Sequence, residues 1–165
     1  MAGTIGSILF VCLGNTCRSP MAEGLFRRLL ADAGRASDFA IGSAGTKVRQ
    51  EYSAPDPRAQ NAIGAHGIDI GHMRSRSVTA HDIARHDLIV AMDMQCLRDL
   101  LNIAPGAEHV KIRLFLDFAP DTGAKEIPDP FHGGPAEYEQ ALALISAAAK
   151  GLLAHLDQTG ASSPP

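Results

Sequence analysis

The feature that most constrains the fold of this chain is a short apolar segment joined by a tight loop to an amphipathic stretch. Residues 8–11 (Ile-Leu-Phe-Val) are apolar and partly β-branched, which is typical of a buried strand. Pro20 suits the first turn of a helix, where its missing N–H costs nothing. Beyond it, apolar residues recur at helical spacing up to Gly34, a suitable C-terminal stop. The chain therefore opens with a strand–loop–helix unit.

Strand and helix signals continue to alternate along the rest of the chain. Further strands are predicted at 37–43, 87–92 and 110–116, with a weaker extended stretch near 73–78. Helices are predicted at 56–66, from Thr79 onward, at 95–101 and at 138–156. This alternation predicts a parallel sheet with helices on both faces, whose ligands bind at the carboxyl ends of the strands.

Length and composition predict one domain. The chain has 165 residues, of which 45% are hydrophobic and 20% charged, as in an ordinary globular protein. We place the domain at residues 7–157, between a flexible N-terminus at 1–6 and a disordered tail at 158–165, which is rich in small residues and proline.

Charge and hydropathy exclude several classes of protein. The formal net charge of −3 leaves no basic footprint for nucleic acid. No run approaches the roughly 18 apolar residues that span a bilayer, so we expect no membrane partner. The first residues lack the basic start and apolar stretch of a signal peptide. Three cysteines, an odd count, favour a reducing compartment and therefore a cytoplasmic location.

The seven-residue loop Cys-Leu-Gly-Asn-Thr-Cys-Arg after the first strand has the composition of an oxyanion site with a sulfur nucleophile. Backbone N–H groups converge at a helix N-terminus, where the dipole favours negative charge. Gly14 and Asn15 accept the left-handed backbone that curls such a loop inward. A thiol in this setting is ionised at neutral pH, so we expect Cys12 to be a thiolate. Arg18 offers a bidentate fork to phosphate, and Ser19 a hydrogen bond to the sulfur.

A phosphate ester also needs an acid that protonates its leaving oxygen. Asp129 is the candidate, because Pro130 biases it toward an extended conformation. The surrounding loop at 128–135 is rich in proline and glycine, and could project one carboxyl group over the cysteine loop.

The chain resembles the low-molecular-weight protein tyrosine phosphatases. The resemblance rests on residues 11–23 and on the Asp-Pro-Phe segment at 129–131. Smaller matches lie at 43–46, at 55–59, at His72 and at 91–93, so that it spans residues 7–157. It implies a three-layer α/β sandwich of the phosphotyrosine phosphatase I-like type, with a central, mostly parallel, four-stranded sheet flanked by helices.

The resemblance implies a hydrolase acting on protein phosphotyrosine, and on small aryl phosphates, through a cysteinyl-phosphate intermediate. The implied catalytic residues are Cys12, Arg18 and Asp129. The implied phosphate-binding residues are Leu13, Gly14, Asn15, Thr16, Cys17 and Arg18. The implied supporting residues are Ser19, Ser43 and His72, and the implied substrate wall is Phe131 with Tyr52. No metal or cofactor is expected, because the thiolate and the cradle already supply the required charges. The expected partners are phosphorylated proteins or peptides, and the expected state is a monomer or weak dimer.

Several alternatives stay open on the sequence. Thr16 resembles the branch of the family that hydrolyses phosphoarginine. Thioredoxin-coupled arsenate reductases share the fold and a similar loop, but they use two further cysteines, and only Cys96 follows here. In this family a cysteine placed like Cys17 can form a disulfide with the oxidised nucleophile, or simply be a buried small residue. Asp93 either stabilises the site or caps the helix that follows it. Members often carry an aromatic residue where ungapped counting places Arg49.

Overall fold

The computed structural model describes residues 3–160. Its strands are β1 (Ser7–Cys12), β2 (Ala40–Gly45), β3 (Leu88–Ala91) and β4 (Ile112–Leu114). Its helices are α1 (Arg18–Asp32), α2 (Pro57–Gly64), α3 (Ala80–Arg85), α4 (Met94–Ile103) and α5 (Pro135–Thr159). Short 3₁₀ turns lie at Gly106–Lys111, Phe115–Phe118, Pro120–Thr122 and Pro130–His132.

The four strands form one sheet in the order β2-β1-β3-β4, and every pairing is parallel. Strand β1 lies inside the sheet, with Ile8 opposite Ile41 on one side and opposite Leu88 on the other. Its four apolar residues at 8–11 are completely buried, as expected of a strand covered on both faces. The loop after β1 therefore emerges at the carboxyl edge of the sheet, where parallel sheets bind ligands.

Alternation along β1 divides the core into two layers. Phe10 packs toward α1 and α5, with its ring centroid 5.7 Å from that of Phe26. Leu9 and Val11 face the opposite side, where they join Ile83 of α3 and residues of α4. Helices on both faces of a four-stranded parallel sheet confirm the predicted three-layer sandwich.

The observed elements begin and end within about three residues of the sequence-based bounds; β2, for example, is predicted at 37–43 and observed at Ala40–Gly45. The tail predicted at 158–165 starts too early, because α5 runs to Thr159, whose hydroxyl donates to the His155 carbonyl at 3.0 Å. Residues 161–165 of that tail, and residues 1–2 of the predicted flexible N-terminus, lie outside the described part of the chain. The strand predicted at 110–116 is only Ile112–Leu114, since the residues beyond it enter a 3₁₀ turn. The stretch at 73–78 makes one parallel bridge, between Ser77 and Gly45.

Candidate active site

The sulfur of Cys12 lies at the end of β1 among hydrogen-bond donors. Its Sγ is 3.0 Å from the Ser19 hydroxyl, and the Asn15 backbone N–H donates to it at 3.2 Å. The residue is 2% exposed, and Ser19 is fully buried in the first turn of α1. Donors aimed at a sulfur beside a helix N-terminus stabilise negative charge on that sulfur.

Asn15 holds the loop in its curled form. Its φ of 55° lies in the left-handed region, as the sequence predicts, whereas Gly14 has no positive φ, so that part of the expectation is wrong. The Asn15 amide donates to the hydroxyls of Ser19 at 2.8 Å and Ser43 at 3.1 Å, and its Oδ1 accepts from the Arg76 backbone N–H at 3.0 Å. Three fixed partners on a buried side chain offset the cost of the left-handed backbone.

His72, which the resemblance implies as a supporting residue, does not belong to this network. It is exposed in a surface groove beside Ser43, and within residues 3–160 it makes no hydrogen bond to Asn15. The backbone of Arg76 occupies that role instead, because Gly45 N–H donates to the Arg76 carbonyl at 2.9 Å and draws this stretch against β2. A backbone donor carries no side-chain signature, so sequence reasoning missed it.

Gly45 sets how closely β2 approaches the cysteine loop. A β-carbon there would lie 2.7 Å from the Leu13 carbonyl oxygen and 3.0 Å from the Asn15 nitrogen. Next to it, Thr46 N–H donates to the Cys12 carbonyl at 3.0 Å, and Lys47 N–H to the Leu13 carbonyl at 2.8 Å. The end of β2 therefore braces the loop from outside, which only glycine at position 45 permits.

The guanidinium of Arg18 is buried and clamped. Its Nη1 donates to Asp93 Oδ2 at 2.7 Å and to the Ile127 carbonyl at 2.8 Å, and its Nη2 lies 3.6 Å from Asp129 Oδ2. Burial lowers the pKa of Arg18, but negative charge at Cys12, Asp93 and Asp129 outweighs this and raises it. Arg18 is therefore a permanent positive charge at the base of the site.

Asp93 performs both of the roles that the sequence leaves open. One carboxylate oxygen binds Arg18, and the other accepts from the Cys96 N–H at 2.8 Å as the N-cap of α4. Burial alone would raise the pKa of Asp93, but the Cys96 N–H and the Arg18 charge lower it overall. The carboxylate is therefore ionised, and it fixes the direction of the guanidinium.

Asp129 lies on the loop that covers this edge of the sheet. Its Oδ1 accepts from the Phe131 N–H at 3.1 Å, and Pro130–His132 form a single 3₁₀ turn. Upstream, Ile127 N–H donates to the Met92 carbonyl at 2.9 Å, which anchors the loop to the end of β3. The side chain is 37% exposed, so solvent and substrate reach it.

These groups share one cleft of about 450 Å³. Its floor is formed by the cysteine loop, with Cys12, Leu13, Gly14, Thr16, Cys17 and Arg18. It is also lined by Asp129, Phe131 and His132 from the loop that precedes α5, and by Lys47, Arg49 and Gln50, which follow β2 and form a wall of the cleft. The cleft thus holds a sulfur, a fixed cation and a carboxyl group at one point.

A family model described as low molecular weight phosphotyrosine protein phosphatase matches residues 7–162. The chain belongs to this family. A low molecular weight protein-tyrosine-phosphatase of Streptomyces coelicolor is 39% identical over 150 residues, which cover 89% of this chain and 91% of that protein. The protein is therefore a cysteine-dependent phosphatase of this family, as the sequence resemblance implies.

Solved structures agree with this membership. A protein tyrosine phosphatase from Entamoeba histolytica superimposes with a TM-score of 0.90 at 30% identity, covering 94% of this chain and 99% of its own. The YwlE arginine phosphatase, in a form with a phosphorylated active-site serine, gives a TM-score of 0.81 at 28% identity, covering 92% and 96%.

The substrate wall of this phosphatase differs from the prediction. Phe131 lines the cleft and is 37% exposed. Tyr52 does not line it: the residue is 82% exposed with a φ of 65°, and its N–H donates to the Ser75 carbonyl at 2.8 Å, which turns it out of the cleft. Among the described residues that line the cleft, Phe131 is thus the one Phe or Tyr side chain, and Arg49 lines the cleft as well.

The other two cysteines are buried. Cys17 lines the cleft floor at 5% exposure, with its Sγ 3.3 Å from the Tyr138 hydroxyl, and burial raises the pKa of its thiol to about 11. Cys96 is fully buried on α4, and burial raises the pKa of its thiol as well. It packs as a small apolar residue, as the sequence predicts.

Within residues 3–160, no group of three or more His, Cys, Asp or Glu side chains is arranged to hold a metal ion. Within the same range, no helix has both the length and the apolarity that crossing a bilayer requires.

Proposed function

We propose that this phosphatase hydrolyses phosphotyrosine in proteins or peptides, and small aryl phosphates, through a cysteinyl-phosphate intermediate. The observation that carries the proposal is the meeting of Cys12, Arg18 and Asp129 around one cleft at the carboxyl edge of the sheet. Nucleophile, fixed cation and acid are the three groups that metal-free transfer of a phosphoryl group requires.

In the first step the Cys12 thiolate attacks phosphorus, so that an S–P bond forms as the P–O bond to the leaving group breaks. Asp129 gives its proton to the leaving oxygen, which departs as a neutral phenol. The Arg18 N–H groups not bound by Asp93 and Ile127, together with the loop N–H groups, stabilise the equatorial oxygens.

In the second step water attacks the cysteinyl phosphate. Asp129, now a carboxylate, takes the water proton, the S–P bond breaks, and inorganic phosphate leaves with the thiolate restored. The Ser19 hydroxyl, 3.0 Å from Sγ, stabilises the departing sulfur. The scheme uses this chain's own groups and assigns no metal or cofactor.

Phosphoarginine is the second candidate substrate. Two observations favour it: Thr16 lies half-buried on the cleft floor, and the YwlE arginine phosphatase is among the structural neighbours. The presence of Lys47 and Arg49 on the wall favours phosphotyrosine, because two cations disfavour the positively charged guanidinium of phosphoarginine.

An arsenate reductase is disfavoured, since the relay needs accessible cysteines and Cys96 is fully buried.

We further propose a cytoplasmic location and a monomer or weak dimer. Free cysteines, one of them a nucleophile that oxidation would inactivate, support a reducing compartment.

Hydrolysis of matched phosphotyrosine and phosphoarginine peptides by the pure protein tests the substrate. We expect faster turnover of phosphotyrosine, and a Thr16→Ile variant measured alongside shows whether that residue sets the preference. Cys12→Ser should abolish turnover while phosphate still binds. Near-normal activity of Cys12→Ser in metal-free buffer would refute the mechanism.

A further inference from the structure

Two cations that line the cleft, Lys47 and Arg49, have no counter-ion among the described residues. The side chains of Lys47 and Arg49 are exposed and line the cleft, and neither makes a salt bridge or a side-chain hydrogen bond within residues 3–160. The proposed mechanism does not require them for phosphate, because it assigns the phosphate oxygens to Arg18 and the loop N–H groups. Their charge is therefore available to another part of the substrate.

The backbone that carries these cations is held at both ends. Lys47 N–H donates to the Leu13 carbonyl at 2.8 Å, which ties it to the cysteine loop. The Gln50 carbonyl accepts from the buried Ser75 hydroxyl at 2.7 Å and from Ser53 at 3.2 Å. Arg49 lies between these anchors, so its position relative to the nucleophile is fixed by the fold.

The acidic groups nearby are already engaged. The Asp56 carboxylate is bound by Arg58 at 2.8 and 3.0 Å, and Glu51 accepts from the backbone N–H of Ser77 at 3.1 Å. Asp129, which also lines the cleft, pairs with Arg18 at 3.6 Å. The Lys47–Arg49 wall is thus the positive side of the cleft mouth.

We propose that Lys47 and Arg49 form a subsite for an acidic side chain next to the phosphorylated residue, so that acidic phosphopeptides are the preferred substrates. An extended peptide advances about 3.3 Å per residue, which brings Asp or Glu within two positions of the phosphotyrosine to this wall. The subsite rests on the proposed phosphotyrosine activity and names its substrate class.

The expected size of the effect is modest. An exposed ion pair changes an equilibrium by about 1.4- to fivefold, so two independent pairs give an acidic peptide an advantage of about two- to 25-fold over a neutral one. Salt screens such pairs, and the advantage should shrink as ionic strength rises.

The test compares kcat/KM for three phosphotyrosine peptides that differ only in having acidic, neutral or basic flanking residues. The enzymes are the wild-type protein, Lys47→Gln/Arg49→Gln, and a control, Arg98→Gln/Lys150→Gln, which removes the same charge from exposed helix positions elsewhere. We expect the acidic-to-neutral ratio to approach one in the first double variant and to stay unchanged in the control.

A wild-type ratio near one at low salt, or a ratio that survives in Lys47→Gln/Arg49→Gln, would overturn the subsite. Binding of the same peptides to a Cys12→Ser protein, with and without the two wall substitutions, measures the preference without turnover. If no peptide is hydrolysed but the acidic peptide still binds best through this wall, the proposed activity fails and the subsite stands.

Discussion

The Arg58 guanidinium donates through Nη1 to the Phe131 carbonyl oxygen at 2.8 Å and so holds the loop that carries Asp129. The same nitrogen donates to the Gly133 carbonyl at 3.2 Å, and the guanidinium carbon lies 5.3 Å from the centre of the Phe131 ring. Asp56, bound to Arg58, donates its backbone N–H to the Thr16 carbonyl at 2.9 Å. Arg58 and Asp56 thus connect the loop that carries Asp129 to the cysteine loop.

This connection predicts that Arg58 positions Asp129, the general acid of the proposed mechanism. In Arg58→Gln the loop loses its tether, and protonation of the leaving group should suffer most. We expect kcat to fall about 10- to 100-fold for aryl phosphates with poor leaving groups and by much less for good ones. A plot of kcat against leaving-group pKa should therefore be steeper than for the wild-type protein.

Arg28→Gln is the matched control for Arg58→Gln, because Arg28 also donates to a loop carbonyl, that of Gly67 at 2.6 Å, but away from the cleft. Its plot should coincide with the wild-type one. An equal loss on all substrates in Arg58→Gln would indicate a merely structural role for that arginine.

Asp93 allows its two roles to be separated by substitution. Asparagine still caps α4, whereas alanine loses both the cap and the charge. We expect Asp93→Asn to reduce kcat/KM about tenfold because Arg18 loses its orienting partner, and Asp93→Ala to lose in addition about 1 kcal/mol of stability. Equal activity of Asp93→Asn and the wild-type protein would show that Arg18 is fixed by Ile127 alone.

The resemblance and the residue pattern together predict the fold and the parts of the site that depend on local sequence. Strand β1, the amphipathic α1 and the left-handed Asn15 follow from apolar spacing and turn chemistry. The residues of the cleft floor are predicted as well, because they are consecutive on one loop between a strand and a helix.

The missed features depend on distant contacts. The Arg76 backbone donor, the Ile127 carbonyl and the Arg58 tether join residues more than 50 positions apart, which no local pattern encodes. The predictions for His72 and Tyr52 are wrong for the same reason, since position along the sequence does not show which way an exposed loop residue points. Tyr52 lies outside the cleft, and His72 makes no hydrogen bond to Asn15 within residues 3–160.

Asp82 makes stability depend on pH in a definite direction. Burial raises its pKa, but the hydrogen bonds from Arg76 and from Thr79 outweigh this and lower it. Because the pKa of Asp82 is lower in the folded protein than its value of about 3.9 in the unfolded chain, the ionised carboxylate stabilises the fold at pH values above about 3.9. This stabilisation is lost as the pH falls through the pKa of the folded protein. Asp82→Asn should therefore lose about 1–3 kcal/mol at neutral pH.

Urea unfolding of Asp82→Asn at several pH values checks this dependence. The difference from the wild-type protein should begin to shrink below about pH 4, where Asp82 becomes protonated in the unfolded chain, and it should vanish only below the lowered pKa of Asp82 in the folded protein. Asp121→Asn, at an exposed position, should show little difference at any pH. A difference that is constant with pH would remove the electrostatic explanation.

The thiols should differ in reactivity. Because burial raises the pKa of Cys17 to about 11, it is a neutral thiol at pH 7 and a poor nucleophile. Brief alkylation at neutral pH should add one group, at Cys12, which lines the cleft. Mass spectrometry of the wild-type protein and Cys12→Ser measures this; rapid labelling of Cys17 in either protein would contradict it.

Peroxide tests the redox alternative for Cys17. Peroxide oxidises the Cys12 thiolate to a sulfenic acid, and attack by Cys17 would then release water and form a disulfide. The two cysteines line the same cleft floor, which favours this reaction. Thiols should fully restore wild-type activity but not that of Cys17→Ala; equal recovery of the two proteins would show that Cys17 gives no protection.

Substitutions at Gly45 and Gly64 test whether the close approach of β2 to the cysteine loop matters for activity, with Gly64 as the control position. A β-carbon at Gly45 would contact the Leu13 carbonyl oxygen at 2.7 Å and Val48 Cγ2 at 2.8 Å, so the loop itself must shift to admit it. We expect Gly45→Ala to lose about 1–3 kcal/mol of stability and at least about tenfold in kcat, since small displacements of a catalytic group are costly.

At Gly64, which ends α2, a β-carbon meets nothing within 4 Å. Gly64→Ala should therefore stabilise the protein by about 0.5–1 kcal/mol through helix propensity and leave kcat unchanged. Thermal unfolding and initial rates on an aryl phosphate measure both variants. If Gly45→Ala were as active as Gly64→Ala, the end of β2 would not position the nucleophile, because the loop would have moved without consequence for the chemistry.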